Sequence, residues 1–208
     1  MTVKKGLIFL TFGTAVLFVI SCSKELSPVE GRLKGDNYEN AFFRFRMRIP
    51  QGWAVGDNAL YQLGLARSKG ISEASSDASK AANTNLLLLI YREPQSTKEK
   101  AAPCLIVQFD DLRRYRSIRT AKDYQLSTLE GLKLGKHPRK NVSGPMLTRL
   151  GGSDYCRMDM VAEVGGGDEL AHQTYLARIE GDFCPVMAIT AASENEANEI
   201  LRQVGLLP

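Results

Sequence analysis

The stretch Phe43-Arg44-Phe45-Arg46-Met47-Arg48-Ile49-Pro50-Gln51-Gly52-Trp53 decides how the chain is read. Phe43, Phe45, Met47 and Ile49 alternate with Arg44, Arg46 and Arg48, the two-residue period of a strand with one apolar and one cationic face. Pro50 ends the run because it cannot extend a ladder, and Gly52 permits the turn that follows. Trp53, the single tryptophan, reads as a packing anchor beside that turn. Three like charges on one face repel, and guanidinium groups are rarely buried unpaired. Two accounts remain open. The arginines pair across strands with acids such as Asp159, Glu163 or Glu180, or they form an open stripe that docks an acidic partner or anionic headgroups.

Working outward, residues 86–91 (LLLLIY) form a short buried strand, and residues 104–109 (CLIVQF) its expected neighbour. Residues 58–67 fit a short helix or a strand. Residues 68–85 are small, polar and aperiodic, and read as a loop. Thr120 with Asp123 predicts the start of a helix, weakened at its far end by Gly131 and Gly135. Residues 155–164, 170–180 and 183–191 read as a strand meander, linked by Gly165-Gly166-Gly167-Asp168 and Gly181-Asp182. Ser193 with Glu196 forms a capping box for a last helix. Its Ala197, Ile200, Leu201 and Val204 recur at helical spacing, and Gly205 stops it. The class expected is α+β, with helices packed on a central antiparallel sheet.

The N-terminal end carries a different signal. Lys4 and Lys5 precede an uncharged run over residues 6–20, and Ser21 stands before Cys22. This pattern resembles the lipobox of bacterial lipoproteins, in which the thiol corresponding to Cys22 is diacylated and the preceding peptide removed. The alternative is an uncleaved anchor over residues 6–23, at the short limit of a spanning helix. The resemblance implies a signal peptide over 1–21, a lipidated Cys22 and firm membrane attachment, because two or more acyl chains hold where one does not. Residues 22–37, rich in Pro, Gly, Ser and charge, read as a flexible tether. No acid directly follows Cys22, so the resemblance leans towards a cell-envelope protein of the outer membrane that faces the periplasm.

Residues Tyr38-Glu39-Asn40-Ala41-Phe42-Phe43-Arg44-Phe45, then Ile49-Pro50-Gln51-Gly52-Trp53, resemble the opening of the PsbP-like superfamily. The order of later elements is similar too, so the resemblance covers residues 38–208. It implies an α-β-α sandwich around an antiparallel sheet. The superfamily includes the extrinsic photosystem II subunit, a nuclear-transport factor and many small bacterial lipoproteins of unassigned role, mostly binding or stabilising proteins, so the resemblance also implies a role of that kind. No ligand residues of the family carry over.

Bulk chemistry narrows the function. Removing residues 1–21 from 208 leaves 187, enough for one domain, and takes two lysines and no acid, so the net charge falls from +4 to +2. That balance is no nucleic-acid signature. Beyond Cys22 stand Cys104, Cys156 and Cys184, an odd set. The meander reading sets Val164 opposite Leu170. Cys156 and Cys184 then flank one strand about 9–10 Å apart, too far for a disulfide, so free thiols are expected. Only His137 and His172 are present, with no nucleophile elbow and no close Cys or His pairs, so neither a hydrolytic triad nor a zinc site is expected, nor any cofactor. Asp110-Asp111 reads as a turn or cap before Leu112. Arg113, Arg114, Arg116 and Arg119 read as a solvated edge or as a contact for anionic headgroups or an acidic partner. The function expected is a membrane-anchored, non-catalytic binding or scaffold protein with an envelope protein partner; the alternative is an envelope hydrolase with an unrecognised site.

Overall fold

A computed structural model describes residues 26–56, 84–92, 102–133, 139–164 and 169–206. Among them the elements run β1 (Gly31–Lys34), β2 (Asn37–Asn40), β3 (Phe45–Arg48), β4 (Trp53–Gly56), β5 (Thr84–Arg92), β6 (Cys104–Asp111), α1 (Ala121–Lys133), β7 (Lys140–Leu150), β8 (Ser153–Val164), β9 (Glu169–Ala177), β10 (Phe183–Ala191) and α2 (Glu194–Val204). They make a three-stranded sheet, β1-β2-β3, and a seven-stranded sheet in the order β4-β5-β6-β10-β9-β8-β7. Every pairing is antiparallel. The class is α+β, and the meander of β8, β9 and β10 is present.

The alternation that opens the domain holds, since Phe45 and Met47 are buried while Arg46 and Arg48 are exposed. The strand is shorter than its pattern. Arg44 lies in the preceding turn with φ 50°, in the left-handed region, so it is not on β3. Asn40 sets that turn: its Oδ1 accepts from Phe43 N at 2.9 Å, and its Nδ2 donates to the Pro28 carbonyl at 3.0 Å. At 1% exposure Asn40 has no water to replace either bond, so it ties residue 28 to the hairpin.

That tie and β1 correct the expected tether over 22–37. Gly31–Lys34 pairs with Asn37–Asn40, so the folded part begins before Tyr38. Gly31 is required there, because a Cβ on it would stand 1.9 Å from the Tyr38 hydroxyl oxygen. The sequence hides this strand, since Arg32, Leu33 and Lys34 are all exposed and give no apolar alternation.

Two apolar clusters meet the large sheet. Met187, Ile189 and Ala191 of β10 pack with Ala197, Ile200, Leu201 and Val204 of α2 and with Phe45 and Met47 of the small sheet. Cys184 and Val186, two positions along the same strand that alternate with these, pack with Tyr124 of α1. Phe43 is fully buried, 5.3 Å from the ring of Phe109 and 6.3 Å from Phe183, which seats the small sheet on the large one. Trp53 is half-buried against this cluster.

Both helix caps form as read. Thr120 Oγ1 accepts from Asp123 N at 3.1 Å while Asp123 Oδ2 accepts from Thr120 N at 2.9 Å. Ser193 Oγ accepts from Glu196 N at 3.2 Å, Glu196 Oε2 accepts from Ala192 N at 2.8 Å, and Gly205 closes α2 in the left-handed conformation.

β7 was not expected. It is an exposed edge strand with one neighbour, β8, and its register shifts twice between Lys140 and Met146. An edge tolerates Pro145, which has no N–H to donate to a neighbouring strand. The β8–β9 register also differs by one residue: Val164 faces Glu169 rather than Leu170, and Cys156 faces Ala177. Ala177 pairs on its other side with Val186, so β9 does separate β8 from β10, and Cys104, Cys156 and Cys184 are free. Thr84 and Asn85 open β5 rather than ending the loop expected over 68–85. Residues 58–67, most of that loop, His137, the Gly165–Asp168 turn, the leader and Cys22 lie outside the described residues.

Candidate functional site

The register of the small sheet builds a charged face from both sides of Arg46. Arg32 pairs with Glu39 and Glu39 with Arg46, while Lys34 pairs with Asn37 and Asn37 with Arg48. These six residues therefore project from one face, opposite the side that carries Tyr38, Phe45 and Met47. Four cations meet one acid, a net of +3 over three short strands. Glu39 takes Arg46 at 2.7 Å and Lys34 at 3.7 Å, with the Arg46 side chain still 52% exposed. Arg44 and Arg48 have no ion pair among the described residues, and both are exposed.

The acids expected to pair with this stripe do not reach it. Asp159 holds Arg157, Glu163 holds Lys140, and Glu180 holds Arg178. Beside the stripe, Arg48, Lys34 and Arg202 of α2 line a groove of about 610 Å³ that also contains Asp36. Arg202 already pairs with Glu199 at 2.7 Å. The structure thus places Arg46 and Arg48 on one face with Arg32 and Lys34, which the sequence reading missed, and sets Arg44 in the adjoining turn.

A second polar cluster lies on β8 and β9. Asp159, 5% exposed, accepts from Arg157 Nε at 2.7 Å and Nη2 at 2.9 Å, and from the Thr174 hydroxyl at 2.6 Å. His172 Nε2 stands 3.2 Å from the same carboxylate. Burial raises the Asp159 pKa, but the hydrogen bonds from Arg157, Thr174 and His172 outweigh it and hold the carboxyl below its ordinary range. Asp, His and Thr together invite comparison with a hydrolytic triad. In a triad the two imidazole nitrogens face different partners, the acid on one side and the nucleophile on the other. Here Nε2 faces both Asp159 and Thr174, the latter also at 3.2 Å, and the Thr174 hydroxyl donates to the acid itself. No proton relay runs through that geometry. It is a buried ion pair with its remaining lone pairs filled.

Asp110 and Asp111 divide as adjacent strand residues must. Asp110 accepts from the Tyr124 hydroxyl at 2.6 Å, tying β6 to α1. Asp111 accepts from Arg113 N at 3.0 Å and Nε at 2.9 Å, bonds that hold its pKa down at about 2 and make it the expected turn cap. A further cavity of about 570 Å³ opens at the first turn of α1, between Arg119, Leu147, Tyr155 and Arg178. Arg178 is spent within it: Nη2 donates to the Phe43 carbonyl and pairs with Glu180 at 3.1 Å, and its guanidinium lies 5.3 Å from the centre of the Tyr155 ring.

No family model and no curated protein sequence matches the chain. Among solved structures, the solution structure of cyanobacterial PsbP (CyanoP) from Synechocystis sp. PCC 6803 is similar, with a TM-score of 0.50 and 12% identity. The alignment covers 85% of this chain and 96% of that one. The domain has a PsbP-like fold. At 12% identity the likeness speaks to fold and not to role.

Proposed function

We propose that this chain is a membrane-anchored lipoprotein of the cell envelope whose domain is a non-catalytic binding or scaffold module. The observation that carries the reading is the outer face of β1–β3, where, among the described residues, Arg32, Lys34, Arg46 and Arg48 share the face with one acid, Glu39. A face of that kind attracts anionic surfaces and orients a docked module, with affinity that falls as salt rises. The fold proposed around it is the α-β-α sandwich, supported by the alternation along β10 between residues that pack on α1 and residues that pack on α2. The anchor proposed is lipid on Cys22, supported by the lipobox pattern that ends there, and the location proposed is the outer membrane, facing the periplasm. An envelope protein is the expected neighbour. The anchoring arm is tested by metabolic labelling with a palmitate analogue. Cys22→Ala is expected to abolish labelling and block maturation, and normal labelling of that variant would sink the arm.

A further inference from the structure

We infer that the small sheet is a second membrane contact: β1 and the outer face of β1–β3 rest on anionic phospholipid headgroups. The inference rests on the lipoprotein reading for the first contact and names the occupant of the cationic face. Charge is the first argument, a net of +3 from four exposed cations and Glu39, with Arg44 beside it in the turn.

Apolar exposure is the second. Leu26 and Val29, just before β1, are 54% and 58% exposed. Two exposed aliphatic side chains within four residues, a few positions before Arg32 and Lys34, make the mixture that suits a membrane interface, where apolar groups enter the acyl boundary and cations meet phosphate. A purely electrostatic site for an acidic protein has no use for the aliphatic component.

Reach is the third. Arg32 is ten residue steps from Cys22, and at ~3.3–3.6 Å per step they span at most about 35 Å. The cationic face is therefore confined close to the bilayer, so contact with it is effectively intramolecular. Arg46 and Arg48 lie two strands from β1, about 9–10 Å away, so one flat footprint takes both rows.

The test uses the full-length mature protein in vesicles of phosphatidylcholine alone or with 30% phosphatidylglycerol, read by hydrogen exchange. Each cation near an anionic surface strengthens contact roughly fivefold, so three net charges give about 10²-fold in all. The expected result is slower exchange over residues 26–48 on the anionic vesicles only, reversed at 0.5 M salt, where the screening length falls to about 4 Å. The variant Arg32→Gln/Lys34→Gln/Arg46→Gln/Arg48→Gln is expected to exchange alike on both vesicles. Equal exchange of the unaltered protein on the two vesicles overturns the inference, with no need for the variant to fold. So does slowing that appears only when another envelope protein is added, which assigns the face to a protein partner. Intact mass of the same sample reports lipid on Cys22. Its absence overturns the anchoring reading alone, because the vesicle comparison still decides the docking.

Discussion

Replacing Asp159 with Ala leaves the guanidinium of Arg157, whose side chain is 14% exposed, without a counter-charge. It also leaves the fully buried Thr174 hydroxyl without its acceptor. Breaking a buried ion pair from one side costs about 3–5 kcal/mol, and an orphaned hydroxyl about 1–3, the two overlapping because one carboxylate serves both. A loss of about 3–5 kcal/mol is therefore expected, a large part of the 5–15 typical of a domain and roughly 6–20 °C in Tm. Urea unfolding followed by circular dichroism measures it. The double variant Arg157→Met/Asp159→Leu is expected to recover most of the loss, since apolar replacement removes the stranded charge. The pH dependence has a definite sign. The folded pKa of Asp159 is depressed, so its contribution is present above the unfolded value of about 4 and lost as pH falls through the folded one. Asp159→Asn should flatten that part of the acid limb. A cost below about 1 kcal/mol for Asp159→Ala, with no change in the acid limb, would refute the reading of this cluster as a buried brace.

Gly31→Ala should destabilise by about 1–3 kcal/mol by overpacking against Tyr38, as measured by thermal melting; an unchanged Tm means that β1 is not part of the fold. Glu39→Gln removes only a partly exposed pair, so a stability change under about 1 kcal/mol is expected by the same assay, while vesicle contact tightens as the face gains a net charge. Alkylation of the unreduced, denatured protein should modify Cys104, Cys156 and Cys184 alike by mass spectrometry; a Cys156–Cys184 linkage would contradict their places on either side of β9. Ser193→Ala should cost about 1 kcal/mol through the lost cap of α2, and a neutral result in urea would contradict the capping geometry.

The elements legible in the sequence were those whose burial writes a period. α2 has four buried positions at helical spacing between a serine cap and a glycine stop, and β3 alternates buried and exposed along its length. β1 and β7 escaped because both are mostly exposed edge strands, so neither alternates in hydrophobicity. Arg44, Arg46 and Arg48 were visible as a triplet. Their companions Arg32 and Lys34 were not, because membership of that face depends on the pairing of β1 with β2, which is long-range information. The Asp159 cluster was hidden for the same reason. Arg157 and Asp159 sit two apart on one strand, His172 and Thr174 two apart on the next, and only the register brings them together.

The central claim is that the cationic face of the small sheet is a docking surface, and arginine footprinting in intact envelopes tests it most directly. Arg44, Arg46 and Arg48 are exposed in the isolated domain and should react readily with a phenylglyoxal reagent once the protein is in detergent. In native envelopes the account predicts that Arg46 and Arg48 are protected relative to exposed Arg149 on β7, and that 0.5 M salt restores their reactivity. Equal reactivity of Arg46, Arg48 and Arg149 in envelopes and in detergent would show the face standing in open water, and would contradict the account.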